Sequence, residues 1–91
     1  MNDLVDGLPA MPRLNRRFRM QWEEAQQCHV LLYPEGMIRL NRSAGEILGC
    51  CDGNTSVDAM VALLEQRFNT TGLRDDIVGM LRLAFEKNWI Q

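Results

Sequence analysis

Between Arg17 and Trp22 apolar and polar residues alternate one for one. Period two places Phe18, Met20 and Trp22 on a single face of a strand. A mostly polar stretch, Glu23 to Gln27, follows and can turn. Cys28 to Tyr33 is apolar on both faces, the pattern of a strand at the centre of its sheet. Pro34 ends it, because proline has no N–H for the ladder. Glu35 and Gly36 turn the chain into a short third strand, Met37 to Leu40. The period then changes to that of a helix. Asn41 is the expected cap of a helix with Ala44, Ile47 and Leu48 on its buried face, and Gly49 stops it. Cys51 to Asn54 turns, and Thr55 with Asp58 resembles a capping box. The next stripe is Val57, Met60, Val61, Leu64 and Phe68, broken by Asn69 to Gly72. A last stripe of Leu73, Ile77, Met80, Leu81, Ala84 and Phe85 leads to Trp89-Ile90. The expected fold is α+β: a three-stranded antiparallel meander followed by three helices, winged-helix-like.

With 91 residues the chain has room for one domain. A domain this size buries only about 60–65% of the surface its unfolded chain exposes, so its core is thin. Residues 13–91 are expected to fold. Residues 1–12, with Gly7, Pro9 and Pro12, read as a flexible N-terminal arm, and Met11 is a second candidate initiator. The arm lacks the basic and apolar regions of a secretory signal, so a cytoplasmic location is expected. No apolar run approaches the ~20 residues of a membrane span. The formal net charge of −2 gives no general attraction to nucleic acid or anionic lipid.

The chain carries little that resembles a catalytic site. His29 is the single histidine, and the cysteines are Cys28, Cys50 and Cys51. An odd count without an export signal suggests reduced thiols. Cys28 and His29 are adjacent on a strand and point to opposite faces, so they should not converge on a metal. Asp75 and Asp76 sit where they complement a helix dipole. No phosphate loop, nucleophile elbow or paired metal-ligand motif occurs. The expectation is a protein without catalytic residues, metal or cofactor. Met60 and Met80 read as core. Trp22 and Trp89 read as core or rim, with Trp89 holding the C-terminus against the sheet.

Leu32-Tyr33-Pro34-Glu35-Gly36, Leu40-Asn41-Arg42-Ser43-Ala44, Glu46-Ile47-Leu48 and Cys51-Asp52-Gly53 together resemble the signature of the PqqD family. Pro12-Arg13-Leu14 and Asn88-Trp89-Ile90 resemble its two ends. The resemblance covers roughly residues 12–91. It implies a peptide chaperone of pyrroloquinoline quinone biosynthesis. PqqD-like proteins bind the precursor peptide PqqA and pass it to the radical S-adenosylmethionine enzyme PqqE, which cross-links a Glu and a Tyr of that peptide. The fold recurs as the recognition element of many peptide-modifying systems. In the family the peptide adds as a strand beside the third strand and lies against the first helix.

That mode fits an edge strand, whose unpaired N–H and C=O groups accept another chain. The expected peptide-binding residues are Gly36, Met37, Ile38, Arg39, Leu40, Asn41, Ser43, Ala44, Ile47 and Leu48. Ile38 and Leu40 should face the core, while Met37 and Arg39 face outward. Arg13, Arg16, Arg17 and Arg19 form a basic cluster. It is either a solvated strand face or, through Arg16, Arg17 and Arg19, a dock for an acidic surface of the enzyme. The alternative reading is a DNA-binding winged-helix regulator, opposed by the net charge and by a helix over 56–68 whose charged residues are Asp58, Glu65 and Arg67. A small enzyme acting on quinone precursors lacks an acid–base constellation. A monomer or homodimer is expected, since open edges permit strand exchange.

Overall fold

The alternation between Arg17 and Trp22 becomes the first long strand of a computed structural model that describes residues 7–91 and the strand formed by Leu4 and Val5. Its elements are β1 (Leu4–Val5), β2 (Leu8–Pro9), β3 (Arg19–Glu23), β4 (Cys28–Tyr33), β5 (Gly36–Arg39), α1 (Arg42–Gly49), α2 (Val57–Arg67) and α3 (Arg74–Glu86). β3, β4 and β5 form the antiparallel meander, with β4 in the middle. Met20, Leu31 and Ile38 stand in register across it, as do Arg19, Leu32 and Met37. The first row faces the helices: Leu31 is fully buried, and Met20 and Ile38 pack against the core. The second row faces away.

The helices cover one face of this sheet. Leu40, Ala44, Ile47, Leu48, Val57, Met60, Leu64, Ile77, Leu81 and Ala84 form the core with Leu31, so the expected helical stripes are the buried ones. Met80 and Val61 flank it, half-buried. α1 sits close on the sheet because Gly45 lies over His29. A Cβ on Gly45 would stand 2.9 Å from His29 Nδ1. α2 and α3 end at Asn69 and Asn88, which take positive φ of 52° and 63°. Asparagine tolerates that conformation, and the next N–H folds back into the helix: Thr70 N–H donates to Glu65 C=O, and Trp89 N–H to Ala84 C=O at 2.8 Å. Among the described residues, no helix is long and apolar enough to cross a membrane.

One expectation needs correction, and the structure adds detail to three others. The cap of α2 is Ser56, whose hydroxyl accepts from Ala59 N–H at 3.0 Å, and not Thr55; the helix begins one residue later than the Thr55–Asp58 spacing suggests. Trp22 is 45% exposed although it shares a face with Met20. Gly45 and Gly49 bring α1 over His29 and Met20 and leave Trp22 uncovered, edge-on to His29 with its indole N–H donating to Glu24. Trp89 is buried in the core cluster that includes Leu31 of β4, and the backbone around it also ties down residues 13–15. Asn15 N–H donates to Trp89 C=O, and Arg13 and Gln91 exchange two backbone hydrogen bonds. Within the stretch expected to be a flexible arm, β2 pairs with β1, and Leu8 and Pro12 are fully buried; residues 1–3 and 6 lie outside the described residues.

Candidate functional site

β5 is an edge of the sheet, so half of its backbone polar groups lack a strand partner among the described residues. Which half follows from the register. Leu40 N–H donates to His29 C=O at 2.9 Å. In an antiparallel pair, hydrogen-bonded and non-hydrogen-bonded residues alternate. Ile38 and Gly36, opposite Leu31 and Tyr33, therefore direct their N–H and C=O toward β4. Met37 and Arg39 direct theirs to the open side. Two N–H donors and two C=O acceptors thus stand in a row, which is what an added strand needs.

The side chains are sorted along the same strand. Met37 is 49% exposed and Arg39 is exposed, both on the solvent face, while Ile38 is half-buried and Leu40 buried. Val30, between its register partners Gln21 and Arg39, is buried. After two linking residues, Leu40 and Asn41, the chain enters α1. Asn41 makes that junction rigid: its side chain accepts from Ala44 N–H at 2.8 Å. Ser43 is exposed on α1. Ala44 and Leu48 lie in the core, where they support the strand rather than offer surface. Ile47 is 5% exposed but lines a groove.

That groove, about 340 Å³, opens between α1, α2 and the start of α3. Ile47, Leu64, Phe68, Leu73 and Ile77 make it apolar, and Arg42 and Asp76 stand on its rim. The Arg42 guanidinium lies 5.4 Å from the centre of the Phe68 ring. Neither Arg42 nor Asp76 has an ion-pair partner among the described residues. Glu46, on the same rim, is held by Arg67 at 2.6 Å. The sequence reading assigned Phe68, Leu73 and Ile77 to helix stripes and missed that they also meet α1. The signal was Phe68 itself, an aromatic residue at the end of its stripe, which is 37% exposed.

The basic cluster lies elsewhere. Arg16, Arg17 and Arg19 surround a shallow concavity with Phe18, Tyr33 and Pro34 at its base. The Phe18 and Tyr33 rings are 5.5 Å apart. Arg17 reaches Glu35 at 3.5 Å, and Arg16 and Arg19 have no carboxylate partner among the described residues. The structure therefore brings these three arginines together, beside β3 and the turn that joins β4 to β5.

Burial shapes the remaining chemistry. The Cys51 thiol donates to Ile47 C=O and is pushed up to about 12, chiefly by burial. Burial also raises Cys50, against the pull of nearby Arg67. Both hold their protons near neutral pH, and a thiol is a poor nucleophile or metal ligand. Among the described residues no three His, Cys, Asp or Glu side chains gather as metal ligands.

Comparison with known proteins places this geometry in a family. The model of the family described as coenzyme PQQ synthesis protein D (PqqD) matches residues 28–90. A PqqA binding protein of Pseudomonas aeruginosa is 52% identical over 88 residues, 96% of each chain. One from Azotobacter vinelandii is 52% identical over 82 residues, 89% of each. Among solved structures, the PqqD truncation of Methylobacterium extorquens PqqCD superposes with a TM-score of 0.74 at 30% identity, covering 88% of this chain and 87% of that one. That truncation is described as a stand-alone recognition element for ribosomally synthesized and post-translationally modified peptides.

Proposed function

Because the chain belongs to the PqqD family, we propose that it binds the precursor peptide PqqA by strand addition at β5 and presents it to the radical S-adenosylmethionine enzyme PqqE. The observation that carries this reading is the outward pair of backbone groups at Met37 and Arg39, on an edge strand that runs into α1. Relatives over half identical are PqqA binding proteins. The protein acts by holding a chain extended, which needs main-chain donors and acceptors and no catalytic group. Side chains such as Met37 tune register, since methionine adapts to irregular surfaces, and Arg39 is placed to meet a peptide carboxylate.

Calorimetric titration of PqqA into single proline variants tests the edge. Met37→Pro and Arg39→Pro each remove an N–H that faces outward and leave the β4 ladder intact. Each should weaken PqqA binding by about 1–3 kcal/mol, which corresponds to roughly 5- to 150-fold in affinity. Unchanged affinity in both folded variants would refute strand addition at β5.

Presentation requires a second surface that peptide does not cover. Arg16, Arg17 and Arg19, clustered beside β3 and the β4–β5 turn rather than along the open side of β5, are our candidates for it and suit an acidic face of PqqE. Duplex DNA is a weaker fit, because Arg67, the single basic residue of α2, is tied to Glu46.

A further inference from the structure

We propose that two copies of the chain associate through β3, antiparallel and centred on Gln21, so that their meanders join into one continuous sheet. β3 is the second edge of the sheet. The register that opens Met37 and Arg39 on β5 also fixes which groups are open here. His29, Leu31 and Tyr33 direct their backbone groups toward β5, so Cys28, Val30 and Leu32 direct theirs toward β3. Their partners are Glu23, Gln21 and Arg19. Met20 and Trp22 therefore direct N–H and C=O to the open side, where nothing among the described residues pairs with them.

The strand Arg19-Met20-Gln21-Trp22-Glu23 is complementary to its own reverse. Centred on Gln21, the pairing sets Met20 against Trp22 of the second copy, and both carry outward backbone groups. Each donates its N–H to the other's C=O, and the two-fold axis repeats the pair. Arg19 falls opposite Glu23 of the second copy at both ends, and neither has an ion-pair partner among the described residues. Like charges directly opposite would protect an edge from pairing with itself, but this register brings opposite charges together. On the helix side Trp22, 45% exposed, packs beside Met20 of the second copy, an aromatic–sulfur contact. Both β5 strands stay at the outer ends of the joined sheet, free for peptide. Arg19 also belongs to the basic cluster, so an enzyme docked there competes with the second copy. Five paired residues per copy make a small interface, so association depends on concentration.

Sedimentation equilibrium of the intact protein without peptide, over rising concentration, tests this, and dimer should form at the high end. Arg19→Glu and Glu23→Arg should each weaken it about three- to thirtyfold, because each sets like charges opposite at both ends. The double variant R19E/E23R restores opposite charges and should recover the dimer. In a mixture of isotope-labelled and unlabelled protein, the Met20 methyl group should contact the Trp22 indole of the other copy. The Met20 and Trp22 N–H groups should gain protection as concentration rises. A chain that stays monomeric to about 1 mM would overturn the proposal. So would a dimer that the single reversals leave unchanged, a double variant no better than the singles, or intermolecular contacts through β5 or an exchanged strand. Should a reversal fail to fold, the contacts in the mixed sample decide alone. None of these outcomes depends on where the peptide binds.

Discussion

Two glycines show how finely single positions are set. A Cβ on Gly45 would press into His29 at 2.9 Å, whereas nothing lies within 4 Å of one on Gly79. Alanine favours a helix over glycine by about 1 kcal/mol. Gly79→Ala should therefore stabilise the domain by about 0.5–1 kcal/mol. Gly45→Ala should destabilise it despite the same propensity gain, because α1 must lift from β4. Urea melts of the two variants, with opposite shifts in midpoint, check this. The thiols give a second prediction at this scale. Cys51 is raised from 9.0 to about 12 by burial. Above 9.0 the unfolded chain loses that proton and the folded chain keeps it, so folding stability must fall as pH rises from 9 toward 12. Cys51→Ala should flatten that alkaline limb in melts across the range. Near pH 8, Cys28 should react with a thiol reagent well before Cys50 and Cys51 in the native protein.

At the scale of elements, caps decide where helices begin. Ser56 caps α2 and Asn41 caps α1, and replacing either with Ala should cost about 1 kcal/mol. Asn41→Ala should also reduce peptide affinity, because it loosens the junction between β5 and α1, whereas Ser56→Ala should leave affinity unchanged. Calorimetry beside thermal melts separates the two effects. The strands and helices were legible because periods of two and 3.6 were clean, and Ala44, Ile47 and Leu48 are as buried as their spacing required. The cap of α2 was not, since Thr55 and Ser56 are both good caps and only backbone conformation chooses between them. Trp22, read as core or rim, lies at the rim. Alternation tells which face a side chain takes, but not whether a helix extends far enough to cover it.

Across the whole molecule the two ends of the chain close on each other. Leu14 pairs with Ile90 and Arg13 with Asp52, so the C-terminal residues hold the entry to β3. Such long-range pairing has no local period, which is why Trp89 and Leu8 could be read as apolar but not placed. Periodicity defined the strand, and the family resemblance supplied the proposal that the peptide binds there. Its orientation came from one hydrogen bond, Leu40 to His29, which no sequence pattern reveals. The groove escaped notice because it joins three helices. The proposed division between peptide and enzyme surfaces makes a prediction at this scale. Reversing Arg16, Arg17 and Arg19 to Glu should weaken PqqE binding and its salt dependence while PqqA binding stays nearly intact. Equal loss of both would show that one surface serves both partners.

Hydrogen exchange at individual amides of the free and PqqA-saturated protein tests strand addition most directly. Ile38 and Leu40 N–H groups already face β4 and should be protected in both states. Met37 and Arg39 N–H groups should exchange freely alone and become protected when PqqA binds. If they stay unprotected at saturation while amides of Val57–Arg67 gain protection, the peptide does not extend this sheet.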